Sequence, residues 1–366
     1  MFPILLANLV SNALTPRSPP RRRPPPGRAS KAKRRAKPIN LALQGGGAHG
    51  AFTWGVLDQL LDDGRIGIEG ISGASAGAVN AVMLADGLTR GGPDEARQRL
   101  ADFWRAVSVD GHLGSLQRGV VERLFPFVPG DGLWFTAMSR MLSPYDLNPL
   151  NINPLKELIE RFVDFEAIRR DRGLELFISA TNVQTGELRV FTRAEITAEV
   201  VMASAALPLL FRAVEIDGVP YWDGGYLGNP AIHPLINECA SSDVVIVQIN
   251  PMNRPDIPVT ARDILNRINE MTFNASLVGE MFGIATVSRL VESGKLDDER
   301  YNTVRFHQIG AEPELAKFGA LSKLNTERPF LQHLHDLGYA AAESWIAENF
   351  DRIGWDSTID VLDKYV

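Results

Sequence analysis

The sequence predicts an α/β fold with a mostly parallel central sheet covered on both faces by helices, and three observations carry that prediction. Apolar strand-like and helix-like segments alternate from residue 39 onward, and glycine-rich turns stand where a strand hands over to a helix. Hydrophobic residues make up 45% of the 366 positions, enough to bury the core of one large domain.

The elements follow in order. Residues 39–44 read as a short apolar strand, 50–61 as a helix, 66–71 as a second strand and 76–88 as a second helix. Strand, helix, strand, helix in succession implies parallel pairing with both faces covered. Residues 174–181 and 188–192 flank the turn Gln184-Thr185-Gly186 and are expected to pair as neighbouring strands; 243–250 is a continuous apolar strand of the buried kind. Helices are expected over 154–162, 196–206, 261–292 and 329–349, the third long enough to bend or break. Residues 112–150 are irregular, with Phe125, Phe127, Trp134, Phe135, Met138 and Met141 set among Pro and Gly, and are expected to form either a packed insertion or an apolar cover over a site.

Charge divides the chain into two parts. Residues 1–37 hold ten Lys or Arg and no acid, so a tail of charge +10 precedes a body of −16 within a formal net charge of −6. The Pro- and Arg-rich tail has too little apolar surface to fold and is expected to be a disordered leader, with the domain over 38–366: a motif-bearing core at about 39–250 and a mainly helical part at 259–366. An acidic body repels phosphates, which argues against a nucleic-acid enzyme; the tail alone suits an anionic surface. The apolar run at 1–10 precedes the arginines instead of following them, a poor match to a secretory signal. No stretch reaches the length of a membrane span, so a cytoplasmic location with at most peripheral contact at a membrane or lipid surface is expected. The lone Cys239 forms no internal disulfide and is expected to sit as a small apolar residue in a helix.

Three motifs carry chemistry. Gly45-Gly46-Gly47-Ala48-His49-Gly50 lies between a strand and a helix, where glycine lets backbone N–H groups approach a negative group closely. Alone it also fits a dinucleotide-binding turn, with Glu69 as the acidic residue that follows. Gly73-Ala74-Ser75-Ala76-Gly77, between the second strand and its helix, has the form of a nucleophile elbow: a serine on a strained turn, flanked by small residues so that strand and helix pack closely. The helix N-terminus there also favours an anion. The third is Asp223-Gly224-Gly225, reached through Asp217 to Trp222, which reads as a hairpin delivering a carboxylate to a tight turn.

In this order and context the three motifs resemble those of the patatin-like phospholipases: a G-G-G-x-[RK]-G loop, a G-x-S-x-G elbow and a D-G-[GA] turn, over residues 39–250. The resemblance implies a three-layer α/β/α sandwich and a Ser-Asp dyad without a catalytic histidine, acting on a lipid ester through an acyl-enzyme. It assigns Ser75 as nucleophile, Asp223 as base and the Gly45, Gly46 and Gly47 backbone as oxyanion hole, supported by Gly50, Gly73, Gly77, Gly224 and Gly225. His49 departs from the pattern, standing where the family has Arg or Lys; histidine is charged only below about pH 6.5 unless its site raises its pKa.

Two alternatives stand beside this reading. One is a Ser-Asp-His triad using His233, His307, His333 or His335; the other is a catalytically idle lipid-binding protein, for which His49 is the argument. The residue spacing calls for no cofactor, calcium or zinc. The lipid, the positional preference and the oligomeric state are not set by the motifs; residues 207–211 and 112–150 are candidate acyl-chain contacts.

Overall fold

A computed structural model describes residues 36–108, 143–148, 151, 153–208, 210–254, 257–297 and 300–364. The leader up to residue 35 and most of the expected cover at 112–150 lie outside the described residues.

The sheet contains β1 (Lys37–Leu43), β2 (Ile66–Gly73), β3 (Glu175–Asn182), β4 (Leu188–Thr192), β5 (Val214–Ile216), β6 (Val219–Asp223), β7 (Asp243–Gln248) and β8 (Arg305–Gly310). They are hydrogen-bonded in the order β5-β6-β3-β2-β1-β7-β8, with β4 also on β3. From β3 to β8 the pairing is parallel, and only β4, β5 and β6 run antiparallel to their neighbours.

Alternation along the central strands makes the layers. Leu41 and Leu43 of β1 and Val245 and Val247 of β7 enter one apolar cluster, shared with α1 (Gly50–Asp63), α2 (Ala76–Gly91) and α3 (Pro93–Val107). Ala42, Val244 and Ile246, one residue out of phase, enter a second cluster on the opposite face. Side chains of successive strand residues point to opposite faces, so both faces are covered and the fold is an α/β/α sandwich. The helices α4 (Pro154–Phe162), α5 (Phe165–Arg170) and α6 (Ala198–Ser204) add to the first layer through Ile159, Ile168 and Val200; α7 (His233–Glu238) and α8 (Ala261–Glu292) form the second through Leu235, Leu277 and Met281. The last long helix, α9 (Arg328–Asn349), returns to the first layer and packs along α1, with Gly338 against the Phe52 backbone.

Three expectations change. The 261–292 segment is one unbroken helix of 32 residues, started by Thr260, whose hydroxyl accepts the Asp263 N–H. Residues 305–310, inside the part read as helical, form the edge strand β8; His307 and Gln308 interrupt its apolar run, and buried His307 instead lies 3.0 Å from Asp243 on the adjacent strand. Cys239 is buried but extended, one residue past the end of α7.

Strand register positions the centre of the molecule. Residues 177–178 of β3 pair with β4 on one side and β2 on the other, and residues 180–181 pair with β4 on one side and β6 on the other. Hence β2 and β6 occupy the same edge of β3, pointing toward each other: Gly73 ends β2 opposite Ile178, and Asp223 ends β6 opposite Ala180. Two residues of strand separate them, about 7 Å.

Candidate active site

Where β2 stops, the chain must leave the sheet to clear the incoming β6, and it does so through Ser75. Ser75 has φ 52 and ψ −122, a left-handed backbone that a non-glycine residue adopts only when its surroundings enforce it. The enforcement is visible. A Cβ on Gly77 would lie 2.1 Å from the Leu43 carbonyl oxygen, and one on Gly73 would lie 2.7 Å from the Gly77 carbonyl oxygen, so the elbow closes only with glycine at both positions. The Ser75 N–H is held at 2.9 Å by the Ser204 hydroxyl from α6, and the Gly77 N–H by the Ala74 carbonyl at 2.8 Å. Ser75 is 8% exposed.

Asp223 reaches the same place on the β5-β6 hairpin, whose turn residues Asp217 and Gly218 both have positive φ, the backbone that matches strand twist in a two-residue connection. It is fully buried. Its Oδ1 accepts the Gly225 N–H at 2.7 Å; its Oδ2 has no hydrogen-bond partner among the described residues. Burial pushes the Asp223 carboxyl up to about 7, against the smaller opposing effects of the Gly225 N–H and the Ser75 hydroxyl, which favour the anion. Gly224 packs on the Ser179 backbone, where a Cβ would meet the carbonyl oxygen at 2.1 Å, and fixes the exit from β6.

The glycine loop closes over these two residues. A Cβ on Gly45 would stand 2.7 Å from the Ser75 Cβ, and one on Gly50 would stand 2.8 Å from the Ala76 Cβ, so loop and elbow are in direct contact. The Gly45 N–H is already committed to Asn229 Oδ1 at 2.7 Å. Gly46 and Gly47 begin a short 3-10 turn, and among the described residues their N–H groups have no partner. Of the three glycines expected to donate, two are therefore available, while Gly45 provides close approach.

His49 is buried behind the loop. Its Nε2 lies 2.7 Å from the Ser322 hydroxyl, and the rings of Phe318 and Phe330 stand about it at 6.0 and 6.2 Å. Burial brings its pKa down to about 3, with the nearby Lys323 acting the same way, so the imidazole is neutral. The other histidines are engaged elsewhere: His233 Nδ1 with Glu280 at 2.9 Å, His307 with Asp243, His335 with Asp58 at 3.1 Å, and His333 beside the Phe318 ring. Among the described residues none of them bonds Ser75 or Asp223. Glu69 binds the Ala240 and Ser241 N–H groups at 2.6 and 2.8 Å, which removes it from the role a dinucleotide reading would give it.

Several residues here escaped the motifs. Gln44 accepts the Ile249 and Asn250 N–H groups, both at 3.0 Å, and Asn250 Nδ2 donates to the Gly45 carbonyl at 2.7 Å. Lys323 Nζ donates to Asn250 Oδ1 at 2.7 Å. The available signal was a polar residue closing each of two buried apolar strands, Gln44 after β1 and Asn250 after β7. Nothing in the sequence links Lys323 or Ser204 to the loop. Among the described residues no group of three or more His, Cys, Asp or Glu side chains is arranged to hold a metal ion, and no helix is long and apolar enough to cross a membrane.

A family model described as patatin-like phospholipase matches residues 41–236, a span that includes all three motifs. The chain is similar to the crystal structure of VipD from Legionella pneumophila, at 16% identity over 86% of this chain and 67% of that one, with a TM-score of 0.39. It is also similar to full-length ExoU from the type III secretion system of Pseudomonas aeruginosa, solved in complex with full-length SpcU, at 15% identity over 85% of this chain and 53% of that one, with a TM-score of 0.32. The chain thus spans between half and two thirds of the length of these structures. No curated protein matches it. The matched residues make up more than half of the chain, which belongs to the patatin-like phospholipase family.

Proposed function

We propose that this protein is a serine-type lipid acyl hydrolase, and that Ser75 and Asp223 do the chemistry as a dyad. The observation that carries the reading is the head-on approach of β2 and β6 along one edge of β3, which sets a strained serine beside a buried carboxylate with a free oxygen. A base works best when its pKa lies near the working pH, and about 7 is close to that optimum.

Asp223 takes the Ser75 proton as the hydroxyl oxygen bonds to the ester carbonyl carbon. The Gly46 and Gly47 N–H groups receive the carbonyl oxygen as it becomes an anion. Collapse breaks the ester C–O bond, and Asp223 gives its proton to the departing alcohol. Water then attacks the acyl-serine with Asp223 again as base; the fatty acid leaves and the proton returns to Ser75. Preorganised backbone donors fit this step because they need no reorientation as charge develops. The substrate class, an acyl ester presented at a lipid surface, rests on family membership.

Turnover of a panel of p-nitrophenyl esters and phospholipids by wild type, Ser75→Ala and Asp223→Asn, each checked for folding by circular dichroism, tests the reading. Loss of activity in both folded variants is expected. Full activity in Ser75→Ala rejects Ser75 as the nucleophile, and no turnover by wild type on any ester rejects the hydrolase reading in favour of lipid binding without catalysis.

A further inference from the structure

Position 49 leaves the glycine loop with a neutral imidazole, yet the loop has a cation close by. Lys323 lies in a 3-10 turn (Ala320–Leu324) more than 270 residues beyond the loop. The two segments are packed together: a Cβ on Gly47 would stand 2.4 Å from the Lys323 carbonyl oxygen, and Ser322 holds His49. The Lys323 ammonium donates to Asn250 Oδ1 at 2.7 Å, and Asn250 Nδ2 donates to the Gly45 carbonyl oxygen at 2.7 Å. The Gly45 carbonyl and the Gly46 N–H belong to one planar peptide group, whose resonance couples the two. Withdrawing electrons at the oxygen makes the N–H a stronger donor, and the Gly46 N–H is without a partner among the described residues.

We propose that Lys323 is a positioning and polarising residue for the oxyanion site, its charge relayed through the Asn250 side-chain amide and the Gly45–Gly46 peptide to the Gly46 N–H. This rests on the hydrolase reading above. The groups around the ammonium are Asn250, Glu270 on α8, which favours its charge, and Arg254, which opposes it; His49 adds none. Burial brings the ammonium down to about 8, so it remains charged at neutral pH. The relay spans β7 and the loop after β1, which explains why an amide side chain caps each of these buried strands: Gln44 Oε1 holds the Asn250 N–H and Asn250 returns a bond to Gly45.

Two measurements on the full chain test this, one of them independent of turnover. In protein labelled at glycine, the Gly46 amide proton is expected to move upfield in Lys323→Gln, which retains a donor but no charge, and to return toward its wild-type position in Lys323→Arg. On a soluble p-nitrophenyl ester, Lys323→Gln is expected to lower kcat by about tenfold, less than loss of a whole oxyanion donor, with KM within twofold, and Lys323→Arg to recover most of kcat. An unmoved Gly46 resonance in folded Lys323→Gln overturns the proposal even in a protein that turns over no ester. A Lys323→Gln enzyme with wild-type kcat, or equal losses in the Gln and Arg variants, overturns it while leaving the hydrolase reading intact. Absence of wild-type turnover counts against the hydrolase reading and is recognised by Ser75→Ala making no difference.

Discussion

The hydroxyl of Ser204 accepts the backbone N–H of Ser75 at 2.9 Å, so the strained residue is fastened from a different helix than the one it starts. An N–H at the first position outside a helix has no intrahelical acceptor, and here the Ser204 hydroxyl supplies one. Ser204→Ala is therefore expected to destabilise the fold by about 1–3 kcal/mol, the cost of an unsatisfied buried donor. It should also lower kcat more than it raises KM, because the elbow is then free to relax toward ordinary backbone. Urea unfolding and ester kinetics check both halves; Ser204→Thr, which keeps the hydroxyl, should behave like wild type.

The Asp223 carboxyl makes activity and stability run in opposite directions with pH. In its proposed role as base it must be ionised, so kcat should rise as pH rises through about 7. Its pKa is raised from an ordinary 3.8, so the folded state holds a proton that the unfolded chain has released; the stability this gives is fully present below about 4 and is lost as pH rises through about 7. Asp223→Asn removes the buried charge and keeps an oxygen for the Gly225 N–H. It should be inactive yet more stable than wild type at pH 8, by an amount on the order of 3 kcal/mol. Thermal unfolding at pH 5 and 8 measures the difference, and equal Tm gains at the two pH values would contradict this account.

His49 is held neutral, with its pKa down at about 3, so its titration should leave no trace in the rate profile between pH 5 and 9. His49→Gln, a neutral side chain able to reach Ser322, is expected to keep activity within about threefold. Kinetics over that pH range, together with soluble yield, decide the point.

Gly77→Ala is the severe case. Its Cβ would fall 2.1 Å from the carbonyl oxygen of Leu43, the last residue of β1; the first turn of α2 and the strand end meet backbone to backbone, so neither has room to give. A loss of at least about 3 kcal/mol is expected, at the upper end of what overpacking costs. Gly64→Ala offers the comparison: the same added methyl has open space, and its left-handed φ of 66 makes backbone strain the only cost, about 1 kcal/mol.

Much of this was legible in the sequence because it is local. Small residues around Ser75, the Asp217-Gly218 turn and the alternation of strands and helices each report a backbone requirement met within a few positions. What escaped is what the sheet assembles from afar. That β2 and β6 share one edge of β3 depends on register, and the Gly45 N–H is held by Asn229, 184 residues away, by a contact that composition does not announce. The β8 strand was missed for a related reason: His307 looks polar until Asp243 on the neighbouring strand is placed beside it.

The meeting of β2 and β6 also bears on when the protein becomes competent during synthesis. The elbow is made before β6, which carries Asp223, and before Ser204, whose hydroxyl fastens the Ser75 N–H. On the proposed mechanism Ser75 has no base until residues 219–223 leave the ribosome and insert along β3, and the loop is not braced until Asn250 and then Lys323 follow. Under the proposed mechanism the growing chain carries its nucleophile unarmed until these later segments are made, and ester turnover reports that the distant strands have docked, not merely that the elbow has been synthesised.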